Sequence, residues 1–301
     1  MPDPRRRWPA GKRCRARVAD HLTRRAMMAT ALAAAPAAAW AAKTPPSRVK
    51  LAGHREQGAA LIGRTRPGAM LAIDGDLLGE ASASGLFVVG FDRDAPKESK
   101  LAVSKGKWCE IRPLEIAPVD YDVQKIDGLP QDQVTPEDPA LLERIKAEAE
   151  RKAKGFASVD PTDNFRTGFI MPLKATRQSS RFGGQRILNG IPNTPHYGAD
   201  FAAPIGTPVH APAAGLVSFA ETGLHFEGAL ILIDHGQGLI TAYLHLSKVL
   251  VREGDRVTQG QLIGEVGQEG RATGPHLCWR MKWRKRNLDP TLLVGVVAPS
   301  V

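Results

Sequence analysis

Six of the eight histidines in this 301-residue chain lie between His196 and His276. Three segments of that stretch carry side chains able to bind a metal or move a proton. His196-Tyr-Gly-Ala-Asp200 sets an imidazole and a carboxylate four residues apart in a Gly-containing, non-helical segment. Tyr243-Leu-His245 closes an apolar run that follows the turn His235-Gly-Gln-Gly238. His276-Leu-Cys278 opens a further strand-like run, and a side-chain period of two puts His276 and Cys278 on one face. Imidazole, carboxylate and thiolate are all metal ligands, and histidine is also the commonest general acid or base. If the three segments converge, metal-assisted chemistry is within reach. The same alternation sets Tyr243 beside His245, either lending a hydroxyl or packing in the core, with Ala242 and Leu244 on the other face. His235 at the turn reads as structural, His210 and His225 as groove lining, and His54 as a lone structural or surface residue.

Common alternatives are missing. The sequence has no H-E-x-x-H, G-x-S-x-G, G-x-x-x-x-G-K-[ST] or C-x-x-C, and no G-x-G-x-x-G after a strand, which excludes the easily read hydrolases, nucleotide enzymes and dithiol oxidoreductases.

The elements that must hold these residues are mainly β. Residues 46–128 alternate short apolar and polar runs, with turn signals such as Arg66-Pro-Gly68 and Asp74-Gly-Asp76, and predict a small N-terminal β-sandwich-like domain. Thr135-Pro136 followed by acids predicts a connecting helix over 135–156, with an apolar stripe of Leu141, Leu142, Ile145 and Ala149 and i,i+4 pairs Glu148–Lys152 and Glu150–Lys154. Residues 165–297 form a glycine-rich C-terminal β domain. Within it Gly206-x-x-Val209 and Gly215-x-Val217 return as Gly254-x-x-Val257 and Gly264-x-Val266. Two copies of a β unit with tight turns predict a barrel-like sandwich of two related halves.

Ser180-Arg-Phe-Gly183, His196-x-x-x-Asp200 with Phe201-Ala-Ala-Pro-Ile-Gly-Thr-Pro-Val209, Asp234-His-Gly236, Tyr243-Leu-His245-Leu-Ser247, Gly254-Asp-Arg-Val-Thr-Gln-Gly260 and Thr273-Gly-Pro-His276 occur in one order. Together they resemble the lysostaphin-like (LytM-type) zinc metallopeptidases, from about Met171 to Leu293. The resemblance implies the duplicated-hybrid-motif barrel-sandwich, a Zn2+ cofactor and a peptide of bacterial peptidoglycan as substrate. It assigns His196 and Asp200 as metal ligands and His245 and His276 as catalytic residues, with Arg181 and Gly183-Gly184 shaping one wall. At the third ligand position this chain departs from the family, with Cys278 where a histidine is expected. Thiolate is a good zinc ligand and leaves the fourth position open, although its charge beside Asp200 weakens the Lewis acidity of the metal. A disulfide between Cys278 and Cys109 would remove that ligand.

The formal net charge of +10 suggests an anionic partner such as nucleic acid. Residues 1–25, however, hold nine Arg and Lys against Asp3 and Asp20, a net of +7 that leaves +3 for the rest. The uncharged Ala-rich run Ala26–Ala42 follows, with Ala39-Trp-Ala41 as a cleavage triplet. Residues 1–41 therefore read as a signal peptide, of twin-arginine type from Thr23-Arg24-Arg25. The mature chain is expected in the periplasm or outside the cell, with no transmembrane segment and no nucleic-acid partner. Two other readings stand beside the endopeptidase: a weak or inactive relative that binds peptidoglycan or regulates another wall hydrolase, with a cell-wall or divisome regulatory partner, and a biotinyl or lipoyl carrier suggested by Gly254–Ile263. The carrier leaves His196, Asp200, His245 and His276 without a role.

Overall fold

A computed structural model describes residues 47–174 and 177–301; the signal peptide read at 1–41 lies outside them. The strands are β1 (Lys50–Ala52), β2 (Ala60–Arg64), β3 (Met70–Ile73), β4 (Asp76–Glu80), β5 (Leu86–Gly90), β6 (Glu98–Lys105), β7 (Trp108–Glu115) and β8 (Val123–Ile126). Helices α1 (Gln131–Val134) and α2 (Pro139–Phe156) follow. Next come β9 (Arg177–Ser180), β10 (Gln185–Leu188), β11 (Ile191–Pro192), β12 (Ala199–Ala202), β13 (Pro208–His210) and β14 (Gly215–Leu224). The chain continues through β15 (Gly228–Asp234), β16 (Leu239–Val249), β17 (Arg256–Val257), β18 (Leu262–Val266), β19 (His276–Trp283) and β20 (Arg286–Leu288). The fold is mainly β, with one long helix between an N-terminal β region and a C-terminal β domain.

The N-terminal sheets, β1-β2-β5 and β4-β3-β6-β7, enclose a core that includes Leu61, Leu71, Phe87, Val89, Leu101 and Val103. The run Leu86–Gly90 is buried along its whole length because both faces of β5 are covered. Phe87 and Val89 face the sandwich, while Leu86 and Val88, with Ala60 and Ile62 of β2, pack on Met281, Trp283 and Leu288 of the C-terminal domain. The two β regions thus share an apolar core. Strand β8 is not part of the sandwich: its exposed-and-half-buried alternation has too little apolar surface for that core, and it pairs in parallel with β10 instead.

Helix α2 starts at Pro139 rather than Thr135, because the Asp138 carboxylate accepts from the N–H of Ala140 and Leu141. Its packed face is polar as well as apolar. Lys152 bonds Glu227, Arg151 bonds Glu221, and buried Glu148 accepts from Arg144 and the His225 N–H. The Glu148–Lys152 pair therefore gives way to contacts with β14 and the turn after it. Leu142 is exposed and lies outside any stripe.

In the C-terminal sheet the strand order is β17-β14-β15-β16-β19-β12-β9, with β13 on β18, β18 on β16 and β20 on β19. The sequence repeat is spatial. Val209 of β13 faces Gly264 of β18, and Gly215 of β14 faces Val257 of β17, so each half of the repeat pairs with the other half's complementary strand. Val209, Val217, Val257 and Val266 all enter one core with Ile231, Tyr243 and Trp279.

Candidate metal centre and groove

Strand register builds the site. On β12 Asp200 faces Ser180 of β9 on one side and Cys278 of β19 on the other, and Cys278 in turn faces Leu244 of β16. His196, in the loop before β12, turns its ring onto the same row. Its Nε2 is 3.1 Å from Asp200 Oδ1 and 3.4 Å from Cys278 Sγ. All three side chains are buried, and one donor atom from each lies within 4.8 Å of the others. Asp200 Oδ1 is buried without a hydrogen-bond partner, a costly state for a carboxylate oxygen unless a cation completes it. An imidazole nitrogen, a carboxylate oxygen and a sulfur converging in this way fit a metal ion.

The charges around this donor set are arranged to hold it. Arg186 Nη2 donates to Asp200 Oδ2 at 3.3 Å, and Arg280 Nε donates to Cys278 Sγ at 3.3 Å. Burial works to raise the Asp200 carboxyl, but His196, His276 and Arg186 outweigh it and keep it well below the usual carboxylate range. Burial lowers His196. Burial and the Asp200 charge push the Cys278 thiol up to about 12 against the pull of Arg280; a coordinated metal ion reverses that and takes the thiolate. Cys278 is a free thiol, so the disulfide to Cys109 does not form.

His245 and His276 stand beside the donors with ring centroids 4.8 Å apart. His276 Nε2 lies 3.8 Å from Asp200 Oδ1. Each ring is fixed through its other nitrogen: Nδ1 of His245 is 2.7 Å from the Glu269 carbonyl, and Nδ1 of His276 is 2.8 Å from the Gly274 carbonyl. A carbonyl can only accept, so both Nδ1 atoms carry a proton, and in a neutral ring Nε2 is the nitrogen left to accept. Burial, then His276, lowers His245 to about 3, which keeps that acceptor neutral.

Strict alternation fails at His245. Its φ is +64°, a left-handed backbone that non-glycine residues seldom adopt, and this turns the ring onto the face of Leu244 and Cys278. Tyr243 is left on the opposite face, fully buried in the core, with its hydroxyl 2.7 Å from Thr241 Oγ1. It does not reach the groove. His235 is buried between the Ala214 carbonyl and Thr241, and His225 is tied to the Asp132 carbonyl. His54 is exposed, 3.9 Å from Glu56.

Of the three donors, Asp200 opens into a cavity of about 540 Å³, lined also by His245, His276, Arg186 and Arg271 on the domain side and by Asp122, Gln124 and Lys125 of the β8 segment on the other. Arg280 and β8 were missed in the sequence. The first was available, since it stands two residues beyond Cys278 on one strand face; the second was not, because nothing local marks β8 as a partner of β10.

Residues 194–290 match Peptidase family M23. The chain carries an M23 peptidase domain. Over 114 residues, 38% of this chain and 26% of the relative, it is 47% identical to peptidoglycan DD-endopeptidase ShyA of Vibrio cholerae. Over 133 residues, 44% of this chain and 29% of the relative, it is 40% identical to DD-carboxypeptidase/endopeptidase Mpg of Neisseria meningitidis. The chain spans between a quarter and a third of the length of either relative. A crystal structure of a Pseudomonas aeruginosa chain assigned to peptidase M23 superposes with a TM-score of 0.61 at 28% identity, covering 80% of this chain and 95% of that one. That likeness runs beyond the M23 domain into the N-terminal region.

Proposed function

We propose that this chain is an exported zinc metalloendopeptidase that hydrolyses peptide bonds of peptidoglycan stems or cross-links. The observation that carries the reading is the buried triad of donors, His196 Nε2, Asp200 Oδ1 and Cys278 Sγ, of which Asp200 lines a cavity together with His245 and His276. The names of the M23 relatives support the substrate class. The basic, Ala-rich N-terminus supports export.

His196, Asp200 and Cys278 would hold the zinc ion. When bound, zinc supplies a Lewis acid that polarises a carbonyl and acidifies water. His245 and His276 would accept the proton of the attacking water at Nε2 and return it to the departing amine, their Nδ1–H bonds to Glu269 and Gly274 fixing the tautomer throughout. Two anionic ligands would dull the metal, and the guanidinium groups of Arg186 and Arg280 draw that charge back. Among the described residues no helix is long and apolar enough to cross a membrane.

The test is digestion of purified peptidoglycan by reduced, zinc-loaded protein, with muropeptide release before and after chelation. Release that stops on chelation and returns with zinc supports the proposal. Intact peptidoglycan under zinc-loaded protein overturns it and leaves the wall-binding reading.

A further inference from the structure

We propose that Gln124 and Ser180 are positioning residues for His196, which makes strand β8, far upstream of the M23 domain, a working part of the metal site. The inference rests on the metal-site reading above.

His196 turns Nε2 toward Asp200 and Cys278, so the proton of a neutral, ligating imidazole sits on Nδ1. Nδ1 is 3.0 Å from Ser180 Oγ. Ser180 lies opposite Asp200 in the β9–β12 ladder, on the same face of the sheet, and with Gln124 it lines the wall of the same cavity. The Gln124 amide closes the chain, with Nε2 2.9 Å and Oε1 3.2 Å from the same hydroxyl. Ser180 thus takes the imidazole proton and is itself held by an amide able to accept from it or donate to it. Such partners fix the tautomer and direction of a metal-binding imidazole, and their loss commonly costs 10–100-fold in metal affinity.

A second set of contacts ties the same strand to the backbone of His196. Gly183 N–H donates to the His196 carbonyl and His196 N–H to the Gly184 carbonyl, both at 2.7 Å. Gly183 has φ +89°, and a Cβ there would lie 2.1 Å from the ring of Tyr121, two residues before β8. Tyr121 is covered by the Arg93 guanidinium, 4.5 Å from its ring centroid, and Arg93 Nε donates to the Gly183 carbonyl at 2.6 Å. Arg93 belongs to the loop after β5. A continuous path therefore runs from the N-terminal sandwich through Arg93, Tyr121 and Gly183 to the main chain of His196, while Gln124 and Ser180 hold its ring. Gln124, Ser180, Tyr121 and Arg93 all lie outside residues 194–290. The N-terminal region orients a ligand of a domain it does not belong to.

The experiment uses the full chain. Zinc affinity is measured by competition with a chromogenic chelator for the parent, Gln124→Ala, Ser180→Ala, the double variant and Gln124→Glu, with metal-free melting temperatures alongside. The expected result is 10–100-fold weaker zinc binding in each alanine variant, a double variant no weaker than the weaker single one because one chain is broken in both, and recovery in Gln124→Glu, which still accepts the serine proton. Melting temperatures should stay near the parent's. Parent-like zinc affinity in both alanine variants overturns this inference and leaves the metal site standing. A parent that binds no zinc overturns the metal reading and the inference together.

Discussion

Asp200 and Cys278 face each other across the β12–β19 ladder, and His196 reaches between them with Nε2 at 3.1 Å from the carboxylate and 3.4 Å from the sulfur. Direct cross-strand pairing brings a carboxylate and a thiol together without any loop, and four residues of chain supply the imidazole. Removing the sulfur should therefore empty the site. Cys278→Ala is expected to lose stoichiometric zinc and to lower peptidoglycan hydrolysis by at least about 100-fold, while its metal-free fold, read by circular dichroism, stays that of the parent. Metal analysis of gel-filtered protein checks this; full zinc occupancy in the variant would remove Cys278 from the ligand set.

His245 and His276 touch the cavity but lie outside the donor triad. Replacing either with alanine should leave zinc content near that of the parent and reduce turnover by roughly 10²–10⁴-fold, the range for loss of general acid–base assistance. Metal content and rate, taken on the same preparation, separate this from a ligand role, in which both would fall together.

Arg280 donates to Cys278 Sγ from within its own strand. Arg280→Gln keeps a side-chain N–H and removes the charge, so the coordinated thiolate should become more electron-rich. In cobalt-substituted protein this is expected to shift the thiolate-to-metal charge-transfer band to longer wavelength. An unmoved band would mean that the guanidinium does not act on the sulfur.

His235 is buried between Ala214 and Thr241, and burial lowers it from 6.5 to about 4. It is neutral in the native chain at pH values where an unfolded chain would protonate it. The stability it contributes is complete above about pH 6.5 and lost as the pH falls toward 4, a range equivalent to about 3 kcal/mol. In chelator, the melting temperature of the parent should fall over that window more steeply than that of His235→Gln. Equal slopes would show that this imidazole does not set the acid limb.

Trp283 is buried in the core shared with Ile62, Leu86 and Val88. Trp283→Ala should cost about 3–5 kcal/mol and lower one common unfolding transition for both β regions. Two separate transitions in calorimetry would mean that the shared core does not couple them.

Much of this was legible in the residues. His196, Asp200, His276 and Cys278 stood out because metal-capable side chains concentrate in the last third of the chain and because the motifs around them resemble the lysostaphin-like family, and the paired Gly-x-x-Val segments announced strands that now pair with each other's partners. What escaped was non-local or depended on one backbone angle. The left-handed φ of His245 separates it from Tyr243, and no period of two can show that. Strand β8 has too little apolar pattern to be told apart from the rest of residues 46–128; only its parallel register with β10 gives Gln124 a role. The helix start shifted from Thr135 to Pro139 because two Asx/Thr-Pro signals lie three residues apart and the Asp138 carboxylate makes the cap.

The measurement that reaches the central claim most directly is X-ray absorption at the zinc edge of the purified, reduced full chain. The structure predicts one zinc per chain with a single sulfur ligand from Cys278 and the remaining ligands nitrogen or oxygen, the sulfur vanishing in Cys278→Ser. Absence of zinc, or a zinc shell without sulfur in the parent chain, would contradict it.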